Sequence, residues 1–247
     1  MRKSVIPLLF VALLGLAGCK VIRYPAERVL PRPIPEPSAE LIEELAGEEQ
    51  QREEEQQEEQ AVERTVRTAV DRVLEIGRAM VGQREVTIDG QSHRADCSGF
   101  VQAGFTAGGL TLTESGDAGT SGTEILYNAL RRTGGLHEGE IPEPGDLVFF
   151  SNTYDRNHNG RLDDDFTHVG FVESVGGDGT VHFLHFVSGA VRIGRMNLLH
   201  PNDRVDEGSG TIWNDPLRRR RKDDSAKVRY LTSQLWIGFG RIGGDDD

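Results

Sequence analysis

The chain has 247 residues, a net charge of -12 and only two cysteines. That length supports one ordinary core with appendages, and two cysteines exclude a disulfide-built scaffold. The charge is local: residues 40–59 carry ten Glu and one Arg, and the near-neutral remainder gives no electrostatic footprint for a nucleic-acid partner.

The N-terminus reads "MRKSVIPLLFVALLGLAGCK". Arg2 and Lys3 precede an apolar run from Val5 to Ala17, too short for a comfortable membrane span. It closes on Leu16-Ala17-Gly18-Cys19, which resembles the lipobox of bacterial lipoproteins. The resemblance implies a signal peptide over 1–18, a lipid-bearing Cys19 and an anchored protein in the cell envelope. Lys20 after the cysteine favours the outer membrane, facing the periplasm. A lipidated Cys19 leaves Cys97 as a lone thiol in an oxidising compartment, where it is either a small core residue or a nucleophile.

Residues 19–37 continue into a proline-rich linker, with five prolines between Tyr24 and Pro37. The acidic stretch 38–60 follows, with Ser38 as a helix cap and no sustained apolar seam; it reads as a stalk, either a solvated helix or a disordered spacer. Order is expected from Ala61 to about 242, with an acidic tail at 243–247. Val62, Val66, Ala69, Val73, Ile76 and Met80 mark one face of an amphipathic helix ending near Gly82. A second helix opens at Asp96 and stops at Gly108-Gly109, and Ser121 with Glu124 opens a third. Strands are expected over 146–150, 167–175, 180–187, 190–196 and 235–242. Helices followed by strands indicate an α+β fold with an antiparallel sheet. Residues 201–227 form a polar insertion containing Trp213 and the basic run "LRRRRKDD" (217–224), either a solvated loop or a patch for anionic lipid or wall polymer.

A helix opening at Asp96 places Cys97 in the first turn. Free backbone N–H groups and the dipole there favour a thiolate, and the amides of Cys97 and Ser98 are placed to hold an oxyanion. A base is also needed. His168 lies in one expected strand, His182 and His185 in the next, with "SVGGDGTV" between them as a hairpin. Whether the turn centres between Gly176 and Gly177 or one residue later, His185 shares a face with His168, and His182 does not. A one-residue slip reverses that choice.

"ADCSGFV", "PEPGDLVFF", "THVGFV" and "FLHFVSGAVRI" follow in the order of the motifs of the NlpC family of cell-wall cysteine peptidases, which the chain resembles over about 62–198. The resemblance implies a papain-like fold, with Cys97 as nucleophile, His168 as base and His185 orienting His168. It also implies peptidoglycan stem peptides as substrate, commonly cut after γ-D-glutamyl, with no cofactor required. Members often carry a tyrosine where "GQRE" puts Glu85, which makes Glu85 a substrate-loop candidate and the departure from the pattern. Three alternatives stay open: a cysteine amidase, an acyltransferase, and a non-catalytic peptidoglycan-binding lipoprotein. Finally, Asp155, Asn157, Asn159 and Asp163, with Gly160 at the turn, resemble the first part of an EF-hand calcium loop. Phe166 stands where the twelfth-position Glu belongs, and Asp164 or Asp165 would have to replace it.

Overall fold

The computed structural model describes residues 38–110, 120–139, 141–220 and 228–242. The expected signal sequence, Cys19, the proline-rich linker and the acidic tail lie outside them. Two compact units divide the chain, Met1–Glu49 and Gln50–Asp247. Helix α1 (Ala39–Ala79) starts behind Ser38, whose hydroxyl accepts from the Leu41 amide. Its first part is exposed throughout, so the acidic stretch is a solvated helix. The expected apolar face begins later than its sequence pattern: Val62 is 58% exposed, and burial starts at Ala69, Val73 and Leu74. No helix of the described residues is long and apolar enough to cross a membrane.

After α1 comes a hairpin of β1 (Val86–Ile88) and β2 (Gln91–His93), turned at Asp89-Gly90 with both residues at positive φ. The sequence reading does not anticipate it. Helix α2 (Cys97–Gly108) and helix α3 (Gly122–Arg132) follow, capped by Asp96 and Ser121 as their patterns require. The left-handed Gly109 ends α2.

The remaining strands are β3 (Leu136–His137), β4 (Leu147–Phe150), β5 (His168–Val175), β6 (Thr180–Val187), β7 (Ala190–Asn197) and β8 (Trp236–Gly240). They make one antiparallel sheet in the order β3-β8-β4-β5-β6-β7. This is the α+β arrangement expected from helices first and strands afterwards, and it fits the papain-like fold that the resemblance implies. β4, "LVFF", is buried on both sides, since alternate residues belong to different cores. Leu147 and Phe149 join Val169, Phe171 and Leu184 against α1, α2 and α3. Phe100 and Phe105 of α2 bracket Phe171 of β5 edge-on, at 5.9 and 5.1 Å between ring centroids, which fixes α2 against β5.

Val148, Phe150, Val172 and Phe183 face the other core, which Leu217 and Leu235 help to close. The expected polar insertion is therefore, over its described part, a cover for this face. Asn214, fully buried, donates to the carbonyls of His200 and Asp203 and accepts from the Asn197 amide. Trp213 stacks on His200 at 3.5 Å. Arg218 of the basic run donates to the Asn152 carbonyl, and Arg220 lies over the Tyr230 ring. A short helix α4 (Thr232–Leu235) leads into β8.

Candidate active site

Asp96 has extended backbone, and its carboxylate accepts from the Gly99 amide at 2.8 Å. The Phe100 amide is taken by the Asp96 carbonyl. Those bonds leave the Cys97 and Ser98 amides as the first-turn donors with no intrahelical acceptor. Gly99 is required here, because a Cβ would lie 2.1 Å from the Arg94 carbonyl oxygen. Arg94 donates to Ser98 Oγ at 2.7 Å and pairs with Asp96 at 2.6 Å. The start of α3 packs as closely, since a Cβ on Gly122 would meet Ser98 Oγ.

A cleft of about 580 Å³ opens at these helix starts. Cys97 and His168 both line it. The Cys97 sulfur lies 3.8 Å from the Thr123 hydroxyl of α3, which sequence reasoning missed because nothing local ties residue 123 to residue 97. Burial pushes the Cys97 thiol up, against a smaller lowering by Thr123 and the Val169 backbone. The resting thiolate expected from the helix terminus is therefore overridden by desolvation. Burial also pushes His168 down to about 4. Both shifts favour the uncharged forms, a thiol and an imidazole, within one cleft.

His168 Nε2 and His185 Nδ1 are 2.8 Å apart, and both side chains are buried. One ring must donate and the other accept, so the pair cannot be doubly protonated along this bond. Burial lowers His185 well below the ordinary histidine range, and neighbouring His168 adds to the effect. The pairing depends on an irregularity in β5. Near the turn Ser174 opposes His182 and Val175 opposes Val181; past Glu173 the register becomes Val172 with Phe183 and Phe171 with Leu184. Continued without the break, the turn-side register would set Phe171 opposite His185 and send that ring to the face away from His168. The bulge at Glu173 removes this slip. Glu173 itself is tied to Arg78 of α1 at 2.8 Å and accepts from the Ser174 hydroxyl. His182 is on the opposite side of β6 from His185, as alternation along a strand requires.

Glu85 is exposed before β1 and does not line the cleft. The tyrosine that does is Tyr154, in the β4–β5 connection, together with Thr153, Phe166 and Thr167. Burial raises the Tyr154 phenol, with a further push from Cys97. Leu217 adds a wall from the insertion. Apart from Thr167, which opens the motif "THVGFV", these residues come from loops without a motif of their own, so only the fold gathers them.

Asp155, Asn157, Asn159 and Asp163 form one hydrogen-bonded group in that connection. Asp155 accepts from the Asn159 and Gly160 amides, and Asp163 accepts from both asparagine side chains. Among the described residues, no three His, Cys, Asp or Glu side chains converge as a metal-holding group. This set is half amide.

Residues 88–185 match the family model of the CHAP domain, a cysteine/amidase-type peptidoglycan hydrolase domain related to NlpC and papain-like enzymes. The match starts nine residues before Cys97 and ends on His185. It gives the motif resemblance a coarser form, a related domain in place of the NlpC family itself. No curated protein and no solved structure matches the chain.

Proposed function

We propose that the protein is a cysteine peptidase of the cell wall, hydrolysing peptidoglycan stem peptides through an acyl-enzyme on Cys97. The observation that carries this reading is a thiol and an imidazole in one cleft, with the imidazole hydrogen-bonded from behind by a second histidine. In the resting tautomer His168 carries its proton on Nε2 and donates to His185 Nδ1, which leaves Nδ1 free as the base. Substrate binding brings the carbonyl carbon to Cys97 Sγ, and His168 takes the thiol proton as the C–S bond forms. The Cys97 and Ser98 amides receive the oxyanion. His168 then protonates the leaving amine, the C–N bond breaks, and water activated by the same imidazole releases the acid. His185 stabilises the transient imidazolium through the Nε2–H bond and holds the ring in orientation. No step uses a metal or cofactor.

The γ-D-glutamyl bond is our first candidate among stem-peptide amides. Lipid on Cys19 tethers the enzyme to the outer membrane, facing the periplasm, and the acidic segment spaces it from that surface. The amidase reading keeps all these roles and moves the cut to the muramyl-alanine amide; the CHAP match favours keeping it in view. A binding-only reading would draw on Glu85, the departure from the family pattern, as a carboxylate that opposes a nearby thiolate, and Glu85 stands outside the cleft.

The full chain and its Cys97→Ala variant are incubated with purified peptidoglycan, and released fragments are identified by mass spectrometry. Stem-peptide fragments should appear with the intact thiol and fall by at least about 10³-fold in the variant. Loss of whole stem peptides from muramic acid would establish the amidase instead. Equal fragment release by both proteins would remove Cys97 from the chemistry.

A further inference from the structure

Asp164 is 1% exposed, and its Oδ2 is buried with no hydrogen-bond partner. No cationic side chain among the described residues pairs with it. A carboxylate in that position is costly unless a positive charge meets it. Its other oxygen, Oδ1, accepts from the Asn157 amide at 3.2 Å, so the carboxylate lies against the main chain of the loop that carries Asp155, Asn157, Asn159 and Asp163. The main chain is fixed there too: the Asp164 amide donates to Asn152 Oδ1, and the Asn152 amide donates to the Asp164 carbonyl at 2.7 Å.

We propose that this loop binds one calcium ion, with Asp164 Oδ2 serving in place of the carboxylate missing at the twelfth position. Asp155, Asn157, Asn159 and Asp163 stand at the first, third, fifth and ninth positions of a calcium loop, and Gly160 at the sixth has φ 76. Hard oxygen ligands in a flexible ring of six to eight suit calcium better than magnesium, which demands a tight octahedron. Both asparagines hold Asp163 through Nδ2, while Asn157 Oδ1 accepts from the Asn159 amide and Asn159 Oδ1 from the Arg161 amide, each oxygen keeping a second lone pair for the ion. The ion would neutralise Asp164 and draw Asp155 and Asp163 together. Two residues beyond Asp164 comes Phe166 and then Thr167, both in the cleft wall, and then His168. Calcium therefore fixes the segment that delivers the base, although the binding site stands whether or not the chain is a peptidase.

The full chain, stripped with EGTA, is titrated with calcium and with magnesium by isothermal titration calorimetry, and its thermal midpoint is followed in parallel. One calcium per chain should bind with Kd at or below about 10⁻³ M, at least tenfold tighter than magnesium. Asp164→Asn should weaken calcium at least tenfold, yet in EGTA it should unfold no lower than wild type, because it relieves the buried charge. Asp155→Asn, at an exposed position, should weaken calcium similarly and serves if Asp164→Asn does not fold. Absence of calcium binding at 5 mM (about five times that limit) would overturn the proposal. So would calcium binding by either variant that equals wild type.

Discussion

The first turn of α2 supplies the thiol and the head of β5 supplies the imidazole, and the two are held on different scales. On the α2 side the bonds are short-range: Asp96 to Gly99, Ser98 to Asp96, Arg94 to Ser98. On the β5 side His168 relies on His185, seventeen residues away, and follows a connection closed by bonds such as Asn152 to Asp164. A helix terminus carries its own geometry and tolerates change elsewhere. A strand residue inherits its geometry from register, so a fault far from the cleft can disarm it without touching it.

The sharpest way to break this contrast is to delete Gly170, one residue from the Phe171–Leu184 pair. With that pair held, every β5 residue before it changes face, and His168 turns away from His185. Wall-hydrolysing activity should fall by at least about 10³-fold, as for loss of a catalytic group. The Cys97 thiol should still react with iodoacetamide, because α2 is built locally. Glu173→Gln, which keeps the register and loses the charge on Arg78, should retain most activity. A deletion variant as active as wild type would show that strand register does not set the histidine pair.

A second difference lies in charge. His168 is buried neutral with its pKa near 4, against an ordinary value of 6.5. Between these values the unfolded chain binds more protons at this position, so stability rises with pH across the window and is complete above 6.5. Falling from pH 6.5 to 4 should remove about 3 kcal/mol through His168, with His185 adding in the same direction. Urea unfolding at pH 7, 5.5 and 4.5 tests this, since His168→Asn should flatten the slope. The same shift keeps the base competent in acid: kcat/KM should be level from pH 7.5 down to about 5.5, where an ordinary histidine would be about nine-tenths protonated.

The contrast also explains what the sequence disclosed. The Asp96 cap, the Gly109 stop, the Ser121 cap and the strand bounds are patterns within a few residues, and they are legible. Cys97, His168 and His185 could be nominated as a set from motif order and the hairpin turn, although the choice of His185 over His182 hung on register. The bulge at Glu173 could not, since a bulge is decided between strands. Thr123, Tyr154 and Leu217 reach the cleft only through packing of distant elements. The insertion read as polar because its residues alternate between surface and core; Asn214 looks like a loop asparagine until its partners at 197, 200 and 203 are assembled around it. Glu85 was singled out by analogy of position, and the turn into β1 carries it outside the cleft.

The smallest effect concerns Asp96, which does two jobs on the local side. Its carboxylate caps α2, and after burial, Thr123 and the Val169 backbone it is a further influence on Cys97, pushing the thiol up. Asp96→Ala removes both and should cost about 1 kcal/mol of stability, the usual worth of a cap. Asp96→Asn keeps a side-chain oxygen for the Gly99 amide and removes only the charge. Its stability should stay near wild type, while the thiolate fraction, read from the pH dependence of iodoacetamide alkylation, should rise. If both variants alkylate faster, the charge governs the thiol. If Asp96→Asn is unchanged and Asp96→Ala slows, the first turn must be intact before its amides can support the sulfur, and the cap is the more important of the two jobs.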